Sequence, residues 1–277
     1  MEFAQINAVR IAYHTAGNGA VPLVFVHGSW ASHTNWETVI PRFAESFRVV
    51  SYDRRGHSDS ERPPGQGSIA EDAEDLAALI SYLDIVPAWV VANSFGSCIA
   101  LRLAVANPHL LRGVVVHEPP LMGLLSEVDD PDTRTVLERA RSSTMNVAAR
   151  IESGDHAGAA EYFVENVALG PGSWTQLPQV IRDVFVTNAP TFLDEIRDPD
   201  ALNADLDGLR TFARPVLLTE GSESPKMFGL IVSQLADVLP NVTTMLYLGA
   251  GHVPHLTHPD DYVATVTTFI QQHESRA

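Results

Sequence analysis

A single cysteine, Cys98, stands in a chain of 277 residues. That scarcity excludes an intramolecular disulfide and any cluster of thiolate metal ligands. Basic residues are few: 18 Lys and Arg face 34 Asp and Glu, a formal net charge of −16. Nucleic acid and anionic membrane surfaces both call for a basic face, so neither is an expected partner. No stretch approaches the ~20 apolar residues of a membrane span. The N-terminus, Met1-Glu2-Phe3-Ala4-Gln5-Ile6-Asn7, has neither the basic start nor the apolar run of an export signal. The cytoplasm is therefore the expected location. Gly17, Gly19 and Gly28 do not form a G-x-G-x-x-G fingerprint behind a strand, and no dinucleotide cofactor is expected.

What is present is an ordinary globular composition, 45% hydrophobic with a mean hydropathy of +0.02. Chains near this length bury roughly 75% of their unfolded surface, enough for one large α/β domain with an insertion. Oligomeric state is left open, a homodimer being one option.

The most informative stretch is Val90-Val91-Ala92-Asn93-Ser94-Phe95-Gly96-Ser97-Cys98-Ile99-Ala100. A β-branched apolar run predicts a strand buried on both faces. Good helix formers follow and run on until Asn107-Pro108. Between them lies small-x-Ser-x-small, from Ala92 to Gly96. A strand that turns directly into a helix holds its central residue in a strained conformation, and small neighbours avoid collision across the turn. The serine hydroxyl is then presented at a helix N-terminus, where backbone N–H groups favour developing negative charge.

Along the chain, apolar runs at Leu23–Val26, Arg48–Tyr52, Leu111–His117 and Pro215–Thr219 predict strands. Helical patterns separate them, including Thr34–Ser46 and Ile69–Leu83. Strands alternating with helices imply a mostly parallel sheet, about eight-stranded, with helices on both faces. From 121 to 209 no strong β run occurs, only helical segments near 132–143, 155–167, 177–189 and 191–197. These predict a helical cap inserted into a core formed by residues 1–120 and 210–277.

Four short motifs fall at predicted strand ends: His27-Gly28, Asp53-Arg54-Arg55-Gly56-His57-Ser58, the Ser94 turn, and Gly249-Ala250-Gly251-His252. In this order they resemble the α/β-hydrolase superfamily over nearly the whole chain. The resemblance implies Ser94 as nucleophile and His252 as the base that takes its proton. It implies an oxyanion hole made by the backbone N–H groups of Ser29 and Phe95, with Trp30 as the alternative to Ser29. Trp30 and Asn93, beside these groups, are the expected pocket residues.

The acid departs from the family pattern. Relatives commonly place an aspartate three residues after a glycine in the loop behind the strand that follows the insertion. Here that loop reads Glu220-Gly221-Ser222-Glu223-Ser224-Pro225, with Ser224 at the aspartate position. Some branches carry the acid after the preceding strand, which selects Glu118 in His117-Glu118-Pro119-Pro120, with Glu223 as the alternative. His252, His255 and His258 stand three apart, but Pro254 and Pro259 interrupt them and no metal is expected. The resulting expectation is a cofactor-free serine hydrolase acting on a carboxylic ester or lactone of a small, largely apolar molecule. The alternatives are a cofactor-free dioxygenase of the same fold and a ligand receptor that retains the triad. A serine at the turn argues against dehalogenase and epoxide-hydrolase chemistry, whose relatives use aspartate there.

Overall fold

Successive residues of a strand point to opposite faces of its sheet, and in the central strands of this chain both sets are apolar. Val24, Val26, Val90, Ala92, Val114, Val116 and Leu218 belong to one buried cluster, while Leu23, Phe25, Trp89, Val91, Val115 and Leu217 belong to another. A sheet apolar on both faces must be covered on both. The computed structural model, which describes residues 1–126 and 128–275, has that layered arrangement. Glu127 in the expected cap, and the last two residues of the expected core, lie outside the described residues.

The strands are β1 (Glu2–Ile6), β2 (Val9–Ala16), β3 (Pro22–Val26), β4 (Arg48–Tyr52), β5 (Ala88–Asn93), β6 (Leu111–His117), β7 (Val216–Gly221) and β8 (Val242–Tyr247). They form one sheet in the order β1-β2-β4-β3-β5-β6-β7-β8. β2 is antiparallel to β1 and β4, and the remaining neighbours are parallel. The expected eight-stranded, mostly parallel sheet is the one observed.

Before β6 the helices are α1 (Ile40–Phe43), α2 (Ile69–Tyr82) and α3 (Phe95–Ala106). Between β6 and β7 lie α4 (Pro131–Glu152), α5 (His156–Phe163), α6 (Ser173–Gln176), α7 (Gln179–Asn188), α8 (Thr191–Arg197) and α9 (Leu206–Thr211). The chain ends with α10 (Lys226–Val238), α11 (Pro254–Thr257) and α12 (Pro259–Glu274). Residues of α2, α3 and α10 fill the first cluster, and residues of α1 and α12 fill the second.

Two helices differ from expectation. The span 34–46 holds only a 3₁₀ turn, His33–Trp36, and the single turn of α1. Pro41 offers no N–H to a preceding carbonyl, so one continuous helix cannot run through it. α4 runs past Ser143 to Glu152 because Val147 and Ile151, one turn apart, are both buried. It stops at Ser153-Gly154, where Gly154 adopts φ 84°.

The segment between β6 and β7 has its own apolar cluster, including Val147, Ile151, Ala160, Phe163 and Phe192. Trp30, from the loop after β3, is fully buried in it and stacks on Phe163 with ring centroids 4.8 Å apart. The inserted helices are thereby seated over the carboxyl end of the sheet, where ligands bind in open α/β folds.

Candidate active site

β5 ends at Asn93 and α3 begins at Phe95, so one residue makes the whole turn. Ser94 has φ 55° and ψ −127°, a conformation that costs a non-glycine residue about 1–3 kcal/mol. It is held there by close packing. A Cβ on Gly96 would lie 2.5 Å from the carbonyl oxygen of Val26 and 2.6 Å from that of His27. One on Gly28 would lie 2.9 Å from Ser94 Cβ. Ala92, within β5, is fully buried with its methyl group on the strand side of the turn. Gly96→Ala is expected to lower unfolding stability by about 1–3 kcal/mol, since backbone carbonyls cannot step aside; a urea titration measures it.

The Ser94 side chain makes no capping hydrogen bond to α3, which leaves its hydroxyl free to turn toward another partner. The backbone N–H of Ser94 donates to the His117 carbonyl at 2.9 Å, tying the turn to the end of β6. Asn93 Nδ2 donates to the His252 carbonyl at 3.0 Å, tying it to the loop before α11. Asn93 is almost fully buried, so its amide is committed to this tie.

Glu118 follows β6 directly, fully buried, with φ 45°. Its Oε2 lies 2.6 Å from His252 Nδ1, and its Oε1 accepts the Gly221 N–H at 2.7 Å. Burial pushes this carboxyl up, but the bond from His252 and the nearby His117 and His252 rings outweigh it and hold it below its ordinary value. An ionised carboxylate can only accept, so Nδ1 carries the imidazole proton and Nε2 presents a lone pair. Phe228 stacks on the His252 ring, with centroids 4.8 Å apart. Ser224 Oγ is buried beside Glu118, close enough to favour its charged form without a hydrogen bond of normal geometry.

Glu223, the alternative acid, is exposed and accepts a bond from the neighbouring Ser222 hydroxyl at 3.2 Å. It is not brought to His252. The three histidines of the last loop also diverge. His255 is fully buried against Trp36, with Nε2 facing the Asn35 amide at 2.9 Å. His258 Nδ1 pairs with the Thr257 hydroxyl.

Ligand atoms of His117, Glu118 and His252 do approach within 4.8 Å of one another, a spacing compatible with a metal ion. Both carboxylate oxygens, however, already receive an N–H. His117 is held to about 4 by burial, only partly offset by Glu118, and its Nδ1 faces the Thr219 hydroxyl at 2.9 Å. His117 Nε2 is buried without a hydrogen-bond partner, 3.7 Å from Glu118 Oε1.

The loop after β3 holds Ser29 and Trp30, the residues whose N–H groups are the expected anion-binding donors. Among the described residues, the N–H groups of Ser29 and Trp30 donate to no other backbone group. Phe95 is the first residue of α3, where helix geometry leaves the N–H unpaired. Trp30 has φ 66°, and its side chain is packed into the inserted helices. Three residues of the sequence-read site, Trp30, Ser94 and Glu118, thus hold positive φ values. The structure adds residues that sequence reasoning missed. Glu195 and Asn188, from the inserted helices, bond Ser29 and the Trp30 carbonyl respectively. Nothing in their local sequence signals this, since the partners lie 166 and 158 positions away.

A family model described as the alpha/beta hydrolase fold matches residues 21–259. The chain belongs to the α/β-hydrolase family. This α/β hydrolase is 23% identical over 277 residues to a pimeloyl-[acyl-carrier protein] methyl ester esterase of Yersinia pseudotuberculosis, covering 96% of this chain and 99% of the esterase. It is 36% identical over 113 residues to a soluble epoxide hydrolase of Corynebacterium sp., covering 41% of this chain but 39% of that protein. Among solved structures, an enol-lactonase from Burkholderia xenovorans LB400 superposes with a TM-score of 0.80 at 20% identity, over 98% of this chain and 100% of that one. Est816, described as an N-acyl homoserine lactone degrading enzyme, gives 0.76 at 24% identity, over 97% of this chain and 100% of that one. At such identities the structural likeness speaks for the fold. No described helix is long and apolar enough to cross a membrane.

Proposed function

We propose that this α/β hydrolase cleaves a carboxylic ester or lactone of a small, largely apolar molecule through Ser94, His252 and Glu118. The observation that carries the reading is the 2.6 Å bond between Glu118 and His252 Nδ1, which leaves Nε2 as a base at the loop tied to the Ser94 turn. His252 Nε2 takes the Ser94 proton as Oγ attacks the acyl carbon. Backbone N–H groups of Phe95 and of Ser29 or Trp30 receive the oxyanion, each such donor typically worth about 2.7–4 kcal/mol. The imidazolium, steadied by the Glu118 charge, then protonates the leaving alkoxide. Water, deprotonated by the same nitrogen, attacks the acyl-enzyme, and the acid leaves with Ser94 restored.

Each step uses only these side chains, backbone N–H groups and water. In a lactone the leaving alkoxide stays tethered to the acyl group, and the same steps apply. Epoxide opening by a serine would instead give an ether, which an oxyanion hole has no means to hydrolyse. The inserted helices, residues 121–209, act in this reading as a cap that sets substrate shape.

The test is intact mass after exposure to a fluorophosphonate, with an ester and lactone screen alongside. One adduct on the wild type and none on Ser94→Ala is expected, together with hydrolysis that the variant loses. A folded wild type that gains no adduct and consumes oxygen on a heteroaromatic phenol would sink the hydrolase reading.

A further inference from the structure

We propose that Glu195, on the inserted helix α8, is a positioning residue that sets the oxyanion loop through Ser29 and Arg54, so that the donor geometry exists only while the inserted helices are seated. The inference rests on the hydrolase reading above. Its basis is one buried cluster of bonds. The Ser29 hydroxyl donates to Glu195 Oε2 at 2.5 Å. Glu195 Oε1 pairs with Arg54 Nη2, also at 2.5 Å, with Arg54 fully buried and Glu195 nearly so. The same Arg54 nitrogen reaches the Gly28 carbonyl at 3.4 Å, and its guanidinium lies over the Phe95 ring, 4.9 Å from the centroid. Arg54 Nη1 pairs with Asp72 at 3.2 Å.

One carboxylate therefore holds the Ser29 segment directly and reaches the Phe95 segment through Arg54, whose guanidinium lies over the Phe95 ring; in the reading above both segments present N–H groups to a single oxygen. The other ties on the loop agree. Asn188, on α7, donates to the carbonyls of Trp30 and Ala31 at 3.2 and 2.9 Å. The Arg54 N–H donates to His27 Nε2 at 3.0 Å, so His27 carries its proton on Nδ1 and gives it to the Gly28 carbonyl at 2.8 Å. Four consecutive residues, Gly28 to Ala31, are gripped either by Arg54 or by the inserted helices. Glu195 is the group common to both grips. Its place deep under the insertion, bonded on both oxygens, keeps it from the substrate, so its influence runs through Ser29 and Arg54.

An oxyanion hole acts on the transition state far more than on the bound ester. Loosening it by a fraction of an ångström lowers kcat and spares KM, and a displacement of about 1 Å can cost about 10²-fold. Ser29→Ala removes one hydroxyl from a half-buried site and keeps the Ser29 backbone. Glu195→Gln keeps the shape and removes the charge. Both are compared with the wild type in kcat per fluorophosphonate-titrated site, in KM, in melting temperature, and in inhibition by an alkyl boronic acid, which becomes tetrahedral and anionic on the serine.

Expected are losses of about 10–100-fold in kcat and in boronate affinity, with KM within about threefold. Ser29→Thr, which restores the hydroxyl, recovers most of the loss. The double variant is no worse than the poorer single one, because both changes break the same link. If the wild type hydrolyses esters and the variants keep its kcat and boronate affinity, whether or not they melt earlier, the positioning role is overturned while the hydrolase reading stands. If the wild type neither labels nor hydrolyses, both fall together.

Discussion

Replacing Glu118 with glutamine is expected to lower turnover of an ester substrate about 10⁴-fold, with KM little changed. The argument is one of proton placement. The carboxylate accepts from His252 Nδ1 at 2.6 Å and from the Gly221 N–H at 2.7 Å, so both of its oxygens face donors. An amide keeps one acceptor for Gly221 and turns its NH₂ toward His252. Nδ1 must then accept, the imidazole proton moves to Nε2, and no lone pair is left to receive the Ser94 proton. Glu223→Gln is expected to leave turnover within about twofold, since that side chain is exposed and meets only Ser222. Adding Ser224→Asp to Glu118→Gln should restore part of the activity, about 10-fold or more, because Ser224 Oγ already lies beside the same site. Initial rates of the wild type and the three variants measure all of this. Full activity in Glu118→Gln would remove it as the acid.

Acid should unfold this protein early, with a midpoint between about pH 4 and 5. Four histidines, His27, His57, His117 and His255, are fully or almost fully buried. Burial lowers His27 to about 3 and His117 to about 4, and drives His57 and His255 well below their ordinary value of 6.5. The hydrogen bonds of His27 and His57 also demand neutrality, since each ring accepts from Arg54. His57 Nε2 faces Arg54 Nη2 at 3.0 Å, and arginine can only donate. Below pH 6.5 the unfolded chain binds these protons and the folded one does not, so stability falls as pH falls.

Asp72 acts in the opposite sense. Burial raises it to about 7, the Arg54 charge only partly offsetting, so between pH 3.8 and 7 it binds its proton in the folded state first. Glu195, also raised by burial, acts in the same sense toward the acid end of the range. About two to three net protons remain, a slope of about 3–4 kcal/mol per pH unit, against a usual total stability of about 5–15 kcal/mol. Urea titrations from pH 8 to 5 give the slope. His255→Gln should reduce it by about 1.4 kcal/mol per pH unit whatever it does to stability itself. An unchanged slope would mean that His255 is already protonated or exposed.

The sequence alone determined features that local sterics and strand parity control. The unbroken apolar runs from Leu23 to Val26 and from Val90 to Ala92 made the strands double-sided, and a double-sided sheet must be layered by helices. The turn at Ser94 was legible because its cause is local: one residue between strand and helix, with Gly96 where a side chain would strike backbone. Helix ends were less legible. Val147 and Ile151 extend α4 through burial against partners that the local pattern does not name.

Only the tertiary structure decided which carboxylate meets His252. Glu118 and Glu223 both sat in plausible loops, but the choice depends on a contact across 134 positions, fixed when β6 and β7 pair and bring Gly221 to Glu118. The same holds for Glu195 and Arg54. In sequence they are an unremarkable helix acid and a turn arginine 141 positions apart. Folding removes both from water, and a buried charge without a partner is too costly to keep. That requirement, which arises only once the inserted helices lie on the sheet, draws the two together under Ser29.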